Sequence, residues 1–62
     1  MKININKADI KELQSIIHIG ERRAQLIIEG RPYGDVFEVS NVRGLGKKRM
    51  LDIINQGYAV SK

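Results

Sequence analysis

The residues best placed to do chemistry are Gly44-Leu45-Gly46, with Arg43 on one side and Lys47, Lys48 and Arg49 on the other. Two glycines at this spacing suit a tight turn and let a ligand come close to the backbone. Cations beside a glycine turn that opens a helix make an anion site, and phosphate fits such a site well. A second stretch, His18-Ile19-Gly20 followed by Glu21, Arg22 and Arg23, repeats the arrangement with a weaker charge. His18 stands where Gly44 stands, so a turn that needs positive φ there carries strain. Its imidazole could also donate to a phosphate oxygen. Arg22 and Arg23 read equally well as solvated helix charges, because Glu21 and Glu29 flank them. Arg31 could reach a phosphate or cap a helix, and the sequence does not choose.

The acidic residues tell a different story. Asp9 with Glu12, and Asp35 with Glu38, have the spacing of a capping box, which accounts for all four without a catalytic cluster. There is no cysteine and one histidine, so no thiolate or zinc ligand set exists and no cofactor is expected. No nucleophile–base pair is visible either. The chain reads as a binding module and not as an enzyme.

The two glycine stretches belong to a repeat with an offset of 26 residues. Asp9, Ile10, Glu12, Leu13, Ile16, Ile19, Gly20, Arg22, Arg23, Ile27 and Ile28 recur as Asp35, Val36, Glu38, Val39, Val42, Leu45, Gly46, Lys48, Arg49, Ile53 and Ile54. A period in this range marks one supersecondary unit used more than once. Two copies, about 9–31 and 35–57, fill a single domain of residues 1–62.

Each copy must supply elements that hold its turn. The capping signals open a short helix, with Ile10, Leu13 and Ile16 or Val36, Val39 and Val42 as its apolar face. Such short helices need tertiary packing to survive in water. A longer helix follows each turn, with Ala24, Ile27 and Ile28 buried in the first copy and Met50, Leu51, Ile53 and Ile54 in the second. Gly30 and Gly57 sit at C-cap positions, and Pro32 begins the connector. Helices are predicted near 10–16, 21–29, 36–41 and 47–56. Ile3-Asn4-Ile5-Asn6 reads as an extended segment laid against them, and Tyr33, Phe37 and Tyr58 as core or rim.

Charge narrows the partner. The chain carries 11 Lys+Arg against 7 Asp+Glu, a net charge of +4. Residues 1–31 hold 6 basic and 4 acidic groups and residues 32–62 hold 5 and 3, so both halves are +2. That balance favours polyanions and excludes a neutral domain with a basic tail. No apolar stretch approaches the ~18 residues of a membrane span, and no signal-peptide core is present. No membrane contact is expected. The chain is expected to be cytoplasmic as it stands, or extracytoplasmic if it is a module of a membrane-anchored protein.

The pattern h-x-x-h-x-G-h-G-x-x-x-A-x-x-h-h is met by Leu13, Ile16, His18, Ile19, Gly20, Ala24, Ile27 and Ile28, departing at His18. Val39, Val42, Gly44, Leu45, Gly46, Met50, Ile53 and Ile54 meet it again, departing at Met50. The unit resembles the helix-hairpin-helix motif of nucleic-acid-binding proteins. With Ile3-Asn4-Ile5-Asn6 and Pro32-Tyr33, nearly the whole chain resembles the tandem domain of ComEA-type bacterial competence DNA receptors. That resemblance implies an all-α, SAM-domain-like small bundle with two motifs related by a pseudo-two-fold. It also implies non-sequence-specific binding to the phosphate backbone of double-stranded DNA across the minor groove. The site residues would be Arg43, Gly44, Leu45, Gly46, Lys47, Lys48 and Arg49 with His18, Ile19, Gly20, Arg22 and Arg23. Other domains of a longer parent protein, as in repair, DNA uptake or a nuclease, ligase or helicase, are the second expected partner. The competing expectation is a protein-interaction domain, as in photosystem-associated extrinsic proteins that look like this family.

Overall fold

Two of the four helices start on the carboxylates that the sequence singles out. In the computed structural model, which describes residues 1–62, Asp9 Oδ1 accepts from the Glu12 amide at 2.7 Å and Glu12 Oε1 accepts from the Asp9 amide at 3.1 Å. Asp35 and Glu38 form the same reciprocal pair at 3.2 Å each way. A cap of this kind contributes about 1 kcal/mol. The chain runs through β1 (Ile3–Asn4), α1 (Ile10–Leu13), α2 (Glu21–Glu29), a 3₁₀ helix (Val36–Asn41), α3 (Lys47–Gln56) and β2 (Ala59–Val60).

α2 and α3 match the predicted spans, but the two shorter elements differ. α1 stops at Leu13 rather than residue 16, because the amides of Ser15 and Ile16 donate to the carbonyls of Glu12 and Leu13, three residues back. The element at 36–41 is a 3₁₀ helix. Val36, Val39 and Val42 lie three apart, the repeat that aligns side chains along one edge of such a helix. The fold is mostly helical, as expected, with one short strand pair beside the helices. β1 pairs in parallel with β2, Ile3 opposite Ala59 and Asn4 opposite Val60, and the Ile3 and Ile5 amides donate to Tyr58 and Val60. The N-terminal segment is thus a strand edge paired with the C-terminal one.

All fourteen buried residues are hydrophobic and form one cluster. Leu13, Ile16, Ile19, Ala24 and Ile27 are buried, and so are the residues 26 positions on: Val39, Val42, Leu45, Met50 and Ile53. Ile3, Ile5, Ala8 and Tyr33 complete the cluster. Leu51 and Ile54, expected inside, are 54% and 38% exposed. Leu51 is adjacent to Met50 in sequence and takes the flank of α3 that Gln25 takes on α2.

The connector is fastened by side chains. Arg31 donates through Nε to the Ile5 carbonyl at 2.8 Å and through Nη2 to that of Ala8, so it neither caps α2 nor faces outward. Asn6 donates to the Tyr33 carbonyl and accepts from its amide, at 2.9 and 2.7 Å. The Tyr33 hydroxyl donates to the Ile27 carbonyl at 2.8 Å. Its burial raises the phenol pKa above the ordinary value, against the opposing pull of Arg31. Gly30 is required for this contact, since a β-carbon there would stand 2.6 Å from the Tyr33 oxygen.

Candidate nucleic-acid interface

Both glycine stretches adopt one turn. His18 has φ +68° and Gly44 has φ +88°, so the position shared by the two is left-handed in each. Glycine takes that conformation freely, whereas His18 holds it at a cost of about 1 kcal/mol or more. Next comes a buried apolar plug. Ile19 donates its amide to the Ile16 carbonyl at 3.1 Å, and Leu45 donates to that of Val42 at 3.0 Å. Their side chains are 6% and 0% exposed. Ile19 and Leu45 are anchors of the turn, buried and with their amides bonded within it. Last in each turn is an N-cap glycine, Gly20 (φ −98°) or Gly46 (φ −27°), neither of them left-handed. Both have open space, for nothing lies within 4 Å of where a β-carbon would be.

The helices behind these glycines begin differently from the other two. α2 and α3 have no side-chain hydrogen bond at their N-caps, whereas α1 and the 3₁₀ helix are closed by capping boxes. The first amides of a helix have no partner inside it and carry a partial positive charge. In α2 and α3 they open onto solvent beside an absent side chain. That is a surface shaped for an anionic oxygen.

The predicted cations divide by what their side chains touch. Arg43, Lys47, Lys48 and Arg22 are exposed and make no side-chain hydrogen bond within the chain. Arg49 donates to the Gly44 carbonyl at 3.3 Å, and Arg23 to the His18 carbonyl at 3.1 Å. Arg22, Arg23 and Arg43 share an open depression of about 490 Å³ with Gly20, Glu21 and Leu26. Lys47 lines another, about 390 Å³, with Phe37, Ser40, Met50 and Leu51. The two hairpins therefore lie on one molecule with their cations in two groups. Phe37 is 59% exposed, a rim residue.

α3 holds the first hairpin in a way the sequence did not signal. His18 Nε2 lies 2.7 Å from Asp52 Oδ2, within hydrogen-bond reach. The Ile17 amide donates to Gln56 Oε1 at 2.9 Å, and Gln56 Nε2 donates to the Ser15 carbonyl at 3.4 Å. The imidazole is thus engaged through Nε2 by Asp52. Asp52 and Gln56 stand four apart on α3, one face of a helix, but their partners lie 34 to 41 residues away. No local pattern links them.

A pair of buried-plug turns, each leading into a helix whose N-cap is glycine, lies within a small, mostly helical domain. The model for the helix-hairpin-helix motif matches residues 1–56, and the chain belongs to that family. A protein named Deoxyribonuclease from Thioalkalivibrio sp. (strain K90mix) is 40% identical over 57 residues, covering 92% of this chain. The chain spans only 16% of that relative's length. No helix of the structure is long and apolar enough to cross a membrane.

Proposed function

We propose that this chain is a non-sequence-specific module for double-stranded DNA, built as two helix-hairpin-helix units over about 9–31 and 35–57. The observation that carries this reading is the contrast in helix starts. Two helices are sealed by capping boxes, while the two behind Gly20 and Gly46 are left open beside exposed cations. Phosphate oxygens meet the amides of those open turns, Gly20 to Arg22 and Gly46 to Lys48, and Arg22, Arg43, Lys47 and Lys48 add attraction at longer range. None of these groups is arranged to read a base edge, so the contacts position the duplex without selecting its sequence. Membership of the helix-hairpin-helix family and the relative's name both support a DNA partner. The resemblance to competence receptors favours DNA uptake and the relative favours strand cleavage. In either setting the module holds DNA and chemistry falls to other domains, because Asp9, Glu12, Asp35 and Glu38 are engaged in capping.

One feature favours the competing reading of a protein-interaction domain. Phe37 and Leu51, both more than half exposed, line the same depression as Lys47. An anisotropy titration with unrelated duplexes at several salt concentrations separates the two. Contact with about 3–5 phosphates gives a log–log slope of roughly −3 to −5, and unrelated sequences bind within a few-fold of each other. A strong preference for one sequence, or a flat salt response, overturns backbone recognition.

A further inference from the structure

Arg23 and Arg49 occupy the same place in the two units, the third residue of the helix that follows each hairpin. Each donates through Nη1 to a carbonyl five residues back, Arg23 to His18 and Arg49 to Gly44. The acceptors are the two left-handed residues of the turns, at φ +68° and +88°. A left-handed turn swings its carbonyl away from the helix it precedes, and here an arginine from that helix closes the gap. Arg23 does more than its counterpart. It is half-buried, and a β-carbon built on Gly44 would stand 3.1 Å from its Nη2 and 3.2 Å from its Nε. One guanidinium therefore bonds the first hairpin and packs against the α-carbon of the second.

We propose that Arg23 is a positioning residue that fixes the two hairpins relative to each other, and that it strengthens DNA binding through that spacing and not by neutralising a phosphate. The proposal rests on the DNA-binding reading above. Two hairpins that grip one duplex must match the separation of its phosphates, so an unlinked pair loses affinity even with every cation outside the link in place. The planar fork is essential to the arrangement. It presents Nη1 to the His18 carbonyl and its Nε/Nη2 edge to Gly44, whereas a lysine ammonium is a single point on a flexible stem. Lysine can reach a carbonyl or cover Gly44, but not both.

The test compares Arg22→Ala, Arg23→Ala and Arg23→Lys with the wild type. Its two readouts are duplex affinity across a salt series and the backbone amide spectrum of the DNA-free protein. Arg22→Ala is expected to lower the magnitude of the salt slope by about one, the mark of a lost phosphate contact. Arg23→Ala is expected to weaken binding several-fold with an unchanged slope, and to shift the amides of Gly44 and Leu45 in the free protein. Arg23→Lys is expected to behave like Arg23→Ala despite its retained charge. It also covers the case in which the alanine variant fails to fold.

A slope reduced by one in Arg23→Ala, or wild-type affinity in Arg23→Lys, overturns the proposal. So do unmoved Gly44 and Leu45 amides, which are read without any DNA present. A wild-type protein with no duplex affinity overturns the DNA-binding reading and the role in binding, while those same amides still decide whether Arg23 links the hairpins.

Discussion

The first hairpin is held from outside and the second stands free of that support. Asp52 takes the His18 ring, and Gln56 takes the Ile17 amide and the Ser15 carbonyl, so three contacts from α3 fasten the first turn. On the second turn the side-chain contacts are Arg49 at the Gly44 carbonyl and the edge of Arg23 over Gly44. Charge runs the opposite way. The second hairpin has Arg43, Lys47, Lys48 and Arg49 around it with no carboxylate in salt-bridge range, and the first mixes Arg22 and Arg23 with Glu21. One backbone turn is thus fastened to α3 in the first copy and surrounded by cations in the second. His18 is tolerated in a glycine position because the copy that carries it is the copy tied to α3.

The largest effect should come from removing the charge of the second hairpin. Lys47→Ala, Lys48→Ala and Arg49→Ala together should weaken duplex binding roughly 10–100-fold near 0.1 M salt and flatten the salt slope by about two. Arg22→Ala with Arg23→Ala should lose less in the same anisotropy assay. Equal losses would break the comparison, since the first hairpin would then be an equal electrostatic partner.

Gly46→Val comes next. Space is open at Gly46 and its φ is negative, so valine adds no left-handed strain. The poorer N-cap should cost up to about 1 kcal/mol. Affinity should fall several-fold in protein that circular dichroism shows to be folded, because the new side chain stands where a phosphate would meet the amides. A folded variant that binds like the parent would assign recognition to side-chain charge alone.

A smaller change is expected from His18→Gly, which gives the first turn the residue of the second. Relief of left-handed strain of about 1 kcal/mol offsets loss of the exposed His18–Asp52 hydrogen bond, which contributes about 1 kcal/mol. Thermal melts should stay close to the parent and affinity should move less than about threefold. A large gain in affinity would mean that the histidine, and not the weaker charge, limits the first hairpin.

The connector lies outside both hairpins and should show the least effect on binding. Tyr33→Phe removes the bond to the Ile27 carbonyl and should cost about 1 kcal/mol of stability with unchanged DNA affinity. Tyr33 is also held neutral by burial above its ordinary pKa. The unfolded chain therefore ionises this phenol first, and wild-type stability should decline as pH rises through about 10. Denaturation of Tyr33→Phe over the same range should lack that share of the decline.

Much of this architecture is legible in the chain. The 26-residue register places both turns, the capping boxes place two helix starts, and the apolar pairs from Leu13/Val39 to Ile27/Ile53 give ten of the buried residues. The parts that escape are those set by distant partners. The Ile/Asn alternation at 3–6 allows a short strand, but the partner that makes it one is β2 at the far end. The engagement of His18 by Asp52, and the span of Arg23 across both turns, depend on how the copies pack. Ile19 and Leu45 are legible as residues of the turn, but their part in anchoring it shows only in the packed core.

In the proposed mode of binding, duplex phosphates meet the open helix starts and leave the capped ones alone. The most direct measurement is a ¹H–¹⁵N titration of the wild-type protein with a short duplex of arbitrary sequence. The amides of Gly20, Glu21 and Arg22 and of Gly46, Lys47 and Lys48 should shift progressively with added DNA. The amides of Ile10 to Glu12 and Val36 to Glu38, closed by capping boxes, should stay in place. Shifts centred on Phe37 and Leu51, or spread evenly over all four helix starts, would contradict the account.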